Sequence, residues 1–303
     1  MKKSIAVSPQ GAGQRIDVYL AQRLCLSRNT VKRLLAQGAV RSGTRAVSKS
    51  QTFEEGALLE IDLTLAGRQL IANPALPLRV LFEDEALLIL NKPSGLSCHP
   101  LRSDETGTLA NALVARYPSQ EGASFCPLEA GLCHRLDKET SGLLVAARTL
   151  QVYRHMRKAF SGQRIYKRYL GLSLCEGALP PRGVVSSPLV QRGGRSAIAS
   201  PKNPKARTAH TRFHVLERQG AFGLLSVEIS TGVMHQIRAH LASVGAPLLG
   251  DERYGAGKVL HCPRLFLHAA ELRFLHPLTR RGLCFEAPLP PELRAVLEKL
   301  GFS

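Results

Sequence analysis

The stretch HRLDKETSGLLVAA, residues 134–147, decides how the rest of the chain is understood. Its first positions crowd His134, Arg135, Asp137, Lys138, Glu139, Thr140 and Ser141 against Gly142, and an apolar run follows at once. A short unbroken apolar run fits a strand buried on both faces. The polar cluster therefore stands at the mouth of that strand. It is either a charged loop capping a sheet or a loop that holds Asp137 ready to react. An aspartate with its ordinary pKa of about 3.9 is ionised at neutral pH and needs no base to make it a nucleophile. Burial opposes this by disfavouring the charged form, and a nearby guanidinium restores it.

Two arginines are candidates for that guanidinium. Arg135 lies two residues from Asp137, so in extended chain the two side chains point to the same side. Arg238 belongs to a predicted helix, MHQIRAHLASVG, with Gly245 and Pro247 beyond its end. There it falls three residues after His235 and shares its face, with Met234, Ile237 and Leu241 as the apolar stripe behind. Spacing alone also allows Asp137 and Arg238 a plain ion pair, or no contact at all. Tyr169, in the alternating strand IYKRYLGLSL, is by default a strand aromatic with its hydroxyl at a wet edge.

Composition narrows the partner. The chain has 303 residues, of which 44% are hydrophobic, and a formal charge of +18. That length allows two domains, and such a charge implies a polyanion, nucleic acid before an anionic membrane. The excess is concentrated: residues 151–220 hold fourteen Lys and Arg against Glu176 and Glu217 alone, and residues 1–70 hold eleven against five acids. No apolar run approaches the ~20 residues of a spanning helix, and MKKSIAVSPQGAG lacks a signal-peptide core. The expectation is a cytoplasmic protein without a membrane partner. The seven scattered cysteines, with no CxxC pair, agree with a reducing compartment. Cys133–His134 and His261–Cys262 lack a four-ligand zinc spacing. Neither GxxxxGK[ST] nor GxGxxG occurs, so no nucleotide or dinucleotide cofactor is expected.

Along the chain, two short helices are predicted first. QRIDVYLAQRL spaces Ile16, Leu20 and Leu24 four apart, and SRNTVKRLLAQG runs from the N-cap candidate Ser27 to Gly38. In the second, Val31, Leu34 and Leu35 face inward while Arg28, Lys32 and Arg33 face out. Short strands around TFEEGALLEIDL follow. Residues 65–79, with two prolines, suggest a linker. VLFEDEALLILNKPSG predicts a hairpin ended by Pro93, LQVYRHMRKAFSG a helix capped by Gly162, and FGLLSVEIS a further strand. This order of elements, without repeats, indicates α+β rather than a doubly wound sheet.

HRLDKETSGLLVAART resembles the signature of the RluA-type pseudouridine synthases, which isomerise uridine to pseudouridine within RNA. FEDEALLILNKPSGLSCHP, KRYLGL, KARTAHTRFHVL, STGVMHQIRAHLASVGAPLLGDERYG and LFLHAAELRFLHPLTRRGLCFEAPLP are similar to the family's remaining blocks, in order. Together they cover nearly all of 80–293. The N-terminal stretch is similar to the small RNA-binding domain named after ribosomal protein S four, on GQRIDVYLAQR, SRNTVKRLL, GAVRSGTRAV and FEEGALLEI. Arg41-Ser42-Gly43 stands there in place of the usual Val-Asn-Gly.

These resemblances imply an N-terminal α/β RNA-binding domain over 1–64, the linker 65–79, and a catalytic domain over 80–303. The catalytic domain's sheet is expected to be mixed, largely antiparallel and flanked by helices. By resemblance Asp137 is the catalytic aspartate, Arg238 its paired basic residue, and Tyr169 the tyrosine lying against the target base. Arg135 falls on the arginine associated with the flipped-out nucleotide's place in the helix. His134 and His235 join the RNA-binding expectation, and Ser27, Arg28, Lys32 and Arg33 would lie on an RNA-facing helix. Two departures occur. Gly232-Val233-Met234 replaces the usual Gly-Arg-Thr, which bears on substrate choice, and Gly171 replaces alanine. The implied enzyme is a monomer that needs no cofactor or metal. Members with this N-terminal domain mostly resemble enzymes of large-subunit ribosomal RNA, with transfer RNA as the alternative. Attack at ribose C1′ or at uracil C6 fits the residues equally. Two rivals make different demands. A lapsed enzyme retained as an RNA-binding or assembly protein would not need Asp137, Tyr169 and Arg238 intact. A hydrolase using Asp with His134 or His235 would want a carboxylate cluster for metal ions, which residues 151–220 do not offer.

Overall fold

A computed structural model describes every residue except 1, 25, 27, 63–69, 103, 176, 178, 256–261 and 303. The N-terminal elements are β1 (Lys2–Ala6), α1 (Ile16–Arg23), α2 (Arg28–Ala36), β2 (Val40–Ser42), β3 (Arg45–Ala46) and β4 (Leu58–Asp62). Their strands form an antiparallel sheet in the order β1-β4-β2-β3. The apolar residues spaced along the two helices meet Leu59 and Ile61 of β4 in a core of their own: Ile16, Leu20, Val31 and Leu34 are all buried. The first element is a strand, not a helix as predicted. KKSIA has no alternation to betray it, and it becomes a strand by pairing with β4 from Lys2↔Asp62 to Ala6↔Leu58.

The remaining elements are β5 (Val80–Glu83), β6 (Leu87–Lys92), α3 (Leu109–Arg116), β7 (Ser141–Ala147), α4 (Leu150–Ser161), β8 (Tyr166–Leu174), β9 (Arg182–Val185), β10 (Leu189–Arg192), β11 (Arg195–Ile198), β12 (Thr211–Gln219), β13 (Phe222–Ile229), α5 (Gln236–Ser243), β14 (Leu267–Leu275), β15 (Gly282–Glu286) and α6 (Pro291–Lys299). Among the described residues they build a sheet in the order β5-β6-β7-β14-β8-β13-β12-β9, with β15 on β14. Every pairing is antiparallel except β7 with β14. This is the mixed, largely antiparallel α+β sheet expected from the sequence. The hairpin β10–β11 stands apart and is turned by Gly193-Gly194, both at positive φ (52° and 74°), the geometry of a tight two-residue turn.

Part of the predicted linker 65–79 touches the larger unit. Leu70 is buried in the large core beside α3, and Asn111 on α3 donates to the carbonyl of Ile71. Leu76 and Leu78 also pack partly against that core, while residues 65–69 lie outside the described part. No described helix is long and apolar enough to cross a membrane.

β7 explains the apolar run after the motif. All seven of its residues are buried, as befits a strand with neighbours on both edges and side chains covered on both faces. Gly142 is required where β7 meets β14. Its φ is 113°, and a Cβ there would lie 2.2 Å from the carbonyl oxygen of Ala269. The close approach that glycine allows holds β14 against the start of β7, where the 134–140 loop enters the sheet.

Candidate active site

The loop before β7, the start of β8 and the entry to α5 surround a cavity of about 600 Å³, and Asp137 lines it together with Arg135, Tyr169, His235 and Arg238. The loop is held from several directions. The Thr140 amide donates to the Asp137 carbonyl at 3.1 Å. Lys92, completely buried at the end of β6, donates through Nζ to the carbonyls of Pro93, Leu96 and Lys138 at 2.8, 2.8 and 2.9 Å. One ammonium thus ties the residue after Asp137 to the turn after β6. Its burial lowers its pKa to about 8.

Arg238 is the arginine that reaches Asp137. Its Nη1 lies 3.3 Å from Oδ2 of Asp137, across 101 residues of chain. Its stronger partner was not foreseen: Nε and Nη2 fork onto the two oxygens of Asp251 at 2.7 Å each. Asp251 has no exposed side-chain surface and Arg238 only 7%. Burial by itself would lower the guanidinium's pKa, but the bonds to Asp251 and the fields of Asp251 and Asp137 more than offset it. Arg238 is therefore a fixed cation held by one carboxylate and presented to another. Arg135 is exposed on the rim, and among the described residues it makes no ion pair with Asp137.

α5 begins at Gln236, two residues later than the predicted helix. Met234 is consequently not part of an apolar helical stripe; it lies in the preceding turn and lines the cavity. His235 has a left-handed backbone (φ 53°), unusual for a residue with a side chain. Its Nε2 points to Oδ2 of Asp137 at 3.8 Å. Gln236 fixes the turn: its Oε1 accepts from Thr231 Oγ1 and the Val233 amide, and its Nε2 donates to the His210 carbonyl. Val233, at the position where the resembled family has arginine, is buried with Leu189, Ala209 and Ala239. Val233 also lines the cavity, giving it an apolar wall where the family's arginine would bring charge.

Tyr169 lies with Lys167 and Gly171 on the buried face of β8. Burial first, and the negative charge of Asp137 second, push its phenol above the ordinary range, so it keeps its proton. Lys167 donates to the Thr231 carbonyl at 2.9 Å and is lowered to about 8 by burial. A Cβ at Gly171 would lie 2.7 Å from Leu248 Cδ2, the tip of a side chain that can shift to admit the alanine usual in the resembled family.

His134 is less available than the sequence suggested. Its Nε2 accepts the Val145 amide at 3.1 Å and its ring stacks on Phe160 at 4.3 Å. Burial lowers it to about 3, so it is a neutral scaffold residue facing the cavity. On α2, Arg28 pairs at 2.9 Å with Asp17, whose side chain is wholly buried and which also holds Arg15. The bonds from Arg15 and then Arg28 lower Asp17 to about 2. Arg28 thus braces α1 against α2, while Lys32 is exposed and Arg33 half-buried. Ser27 lies outside the described residues.

The family profile for RNA pseudouridylate synthases matches residues 86–243. An RNA pseudouridine synthase of Chloroflexus aurantiacus is 38% identical over 99% of this chain and 94% of its own length. A ribosomal large subunit pseudouridine synthase D of Nitrosomonas europaea is 37% identical over 95% and 85%. A solved human structure, RNA pseudouridylate synthase domain containing 4, superposes with a TM-score of 0.59 at 25% identity, covering 73% of this chain and 92% of that one. With Asp137, Arg238 and Tyr169 converging on one cavity in a mixed sheet, and relatives matching over nearly its whole length, the chain belongs to the RNA pseudouridylate synthase family.

Proposed function

We propose that the protein isomerises uridines of large-subunit ribosomal RNA, with Asp137 as nucleophile. The observation that carries this reading is the Asp137 carboxylate at 3.3 Å from a guanidinium that is itself locked on Asp251. The target uridine is flipped out of its stack, at a cost of a few kcal/mol, and Arg135 on the rim fills the gap. Asp137 attacks C1′ of the ribose or C6 of the uracil. The N1–C1′ bond breaks, the base turns, and a C5–C1′ bond forms. The C5 proton then leaves, and Asp137 departs as a carboxylate. Because the Tyr169 phenol holds its own proton, its part is to pack against the base and relay the C5 proton, taking it up as its own passes to solvent, rather than to wait as a phenolate. Arg238 keeps a positive charge beside Asp137 in every step.

We further propose that residues 1–64 are an RNA-binding domain whose exposed Lys32 and half-buried Arg33 contact phosphates, and that the enzyme acts as a monomer in the cytoplasm. The names of several relatives over nearly their full lengths favour ribosomal over transfer RNA. Asp137→Asn tests the chemistry. It is expected to abolish tritium release from C5-labelled uridine in RNA while filter-binding affinity stays within a few-fold, since phosphate contacts lie elsewhere. Substantial turnover by that variant would remove Asp137 from its role. Mapping pseudouridine in a strain lacking the gene decides between the RNAs: sites lost from transfer RNA alone would overturn the ribosomal assignment.

A further inference from the structure

In the loop after α5, three of the four residues 251–254 link to neighbouring elements. Asp251 grips Arg238. Arg253 donates to the carbonyl of Gly194 at the tip of the β10–β11 hairpin. Tyr254 carries its ring 5.2 Å below the Arg238 guanidinium and edge-on to His235. Its hydroxyl accepts the Ser196 amide of β11 at 2.8 Å, and lies 3.0 Å from the Ser196 carbonyl and 3.2 Å from Nδ1 of His235. Ser196 is also bonded through Oγ to the Met234 carbonyl. The hairpin, which exposes Arg192 and Arg195, is therefore latched onto the residues flanking Asp137.

A phenol has one proton to give, and here two acceptors face it. We propose that Tyr254 is a positioning residue for Asp137: its hydroxyl proton is contested by the Ser196 carbonyl and His235 Nδ1, so the hairpin's hold on Tyr254 decides which nitrogen of His235 is protonated. This rests on the assignment of Asp137 as nucleophile. With the hairpin latched, the closer Ser196 carbonyl accepts the Tyr254 hydroxyl's hydrogen bond. His235 then donates from Nδ1 to the tyrosine oxygen and turns a bare Nε2 lone pair toward Asp137. When RNA phosphates draw Arg192 and Arg195 away, Ser196 leaves and the Tyr254 proton turns to Nδ1. The imidazole proton then sits on Nε2, the nitrogen 3.8 Å from the Asp137 carboxylate, and steadies it. Which nitrogen of a neutral imidazole holds the proton is set by the bond at the other. Burial, despite the opposing pull of Asp137, keeps His235 below its usual pKa and hence neutral.

The test uses full-length protein carrying ¹⁵N-imidazole histidine, with His235 assigned through His235→Gln. A short oligocytidylate supplies phosphates without a uridine to turn over. The wild type is expected to pass from the Nδ1–H to the Nε2–H form when the oligonucleotide binds. Tyr254→Phe keeps the ring and removes the hydroxyl. Its His235 should no longer respond, and kcat for tritium release from ribosomal RNA should fall about tenfold with KM nearly unchanged, the scale of losing a partner that orients a functional group. An unresponsive wild-type His235, or a Tyr254→Phe enzyme turning over at the wild-type rate, would overturn the proposal. If the wild type released no tritium at all, the assignment of function would fail instead, and the spectra, which need no turnover, would still decide the tautomer.

Discussion

Replacing Arg238 by Met separates two roles that one side chain carries. The thioether keeps most of the length and loses the charge. Asp251, with no exposed side-chain surface, is left among the described residues with its bonds from the Arg253 and Tyr254 amides. Removing one partner of a buried ion pair costs about 3–5 kcal/mol. For a unit of this size each kcal/mol lowers the melting temperature by about 2–4 °C, so a fall of roughly 6–20 °C is expected. Adding Asp251→Asn removes the stranded charge. Its amide oxygen still accepts the two backbone N–H groups, and the remaining cost is that of one unpaired buried polar group, about 1–3 kcal/mol. The double variant should therefore melt above Arg238→Met. Its turnover should stay low, because Asp137 still lacks the guanidinium that lay 3.3 Å away. Thermal melts and tritium release, measured on all three proteins well below their melting points, give the answer. If activity returned with stability in the double variant, Arg238 would serve the fold alone and its electrostatic part would be refuted.

Lys92 gives a pH signature. Its folded pKa of about 8 lies below the ordinary 10.5, so between those values the unfolded chain holds a proton the folded one has released. Stability contributed by this group should rise with pH through that window; denaturant titrations on either side of pH 8 should show the rise in wild type and lose it in Lys92→Met. Gly142→Ala forces a Cβ into the Ala269 carbonyl at a positive φ. It should cost at least about 3 kcal/mol, seen as an early melt or insoluble protein; a near-normal melt would contradict the close approach of β7 and β14. Deleting residues 1–64 should weaken RNA binding and flatten its dependence on salt, because log affinity falls with log salt in proportion to the phosphates neutralised. An unchanged slope would make the basic face of α2 merely solvated.

How much of this was legible in the sequence depended on whether the signal was local. β7, α4 and the β5–β6 hairpin announce themselves by apolar periodicity and turn residues within a dozen positions. β1 does not, because its stability comes wholly from β4, more than fifty residues away. Asp137, Tyr169 and Arg238 were identified by resemblance, and spacing could not have joined them. Asp251 and Tyr254 stood in the matching block GDERYG, yet nothing local shows that this aspartate is buried or that this tyrosine touches a hairpin. Lys92 beside Pro93 looked like the end of a strand. Only the loop returning from Lys138 turns its ammonium into a clamp. The start of α5 was misjudged because the left-handed residue that sets it, His235, is neither glycine nor asparagine.

The place of β14 in the sheet has a consequence for how the enzyme comes into being. β5, β6 and β7 form one block and β8, β13, β12 and β9 another, and the strand that joins them follows both in the chain. Asp137 belongs to the first block, while Tyr169 and the β13–α5 turn belong to the second. A chain emerging from the ribosome N-terminus first holds two half-sites with an open seam between them until residues past 267 arrive. Inserting β14 closes the sheet and brings Asp137 and Arg238 together, with long loops to close before that event is rewarded. A nascent chain thus carries the motif complete before the cleft is closed, and the two halves meet only when β14 takes its place between β7 and β8.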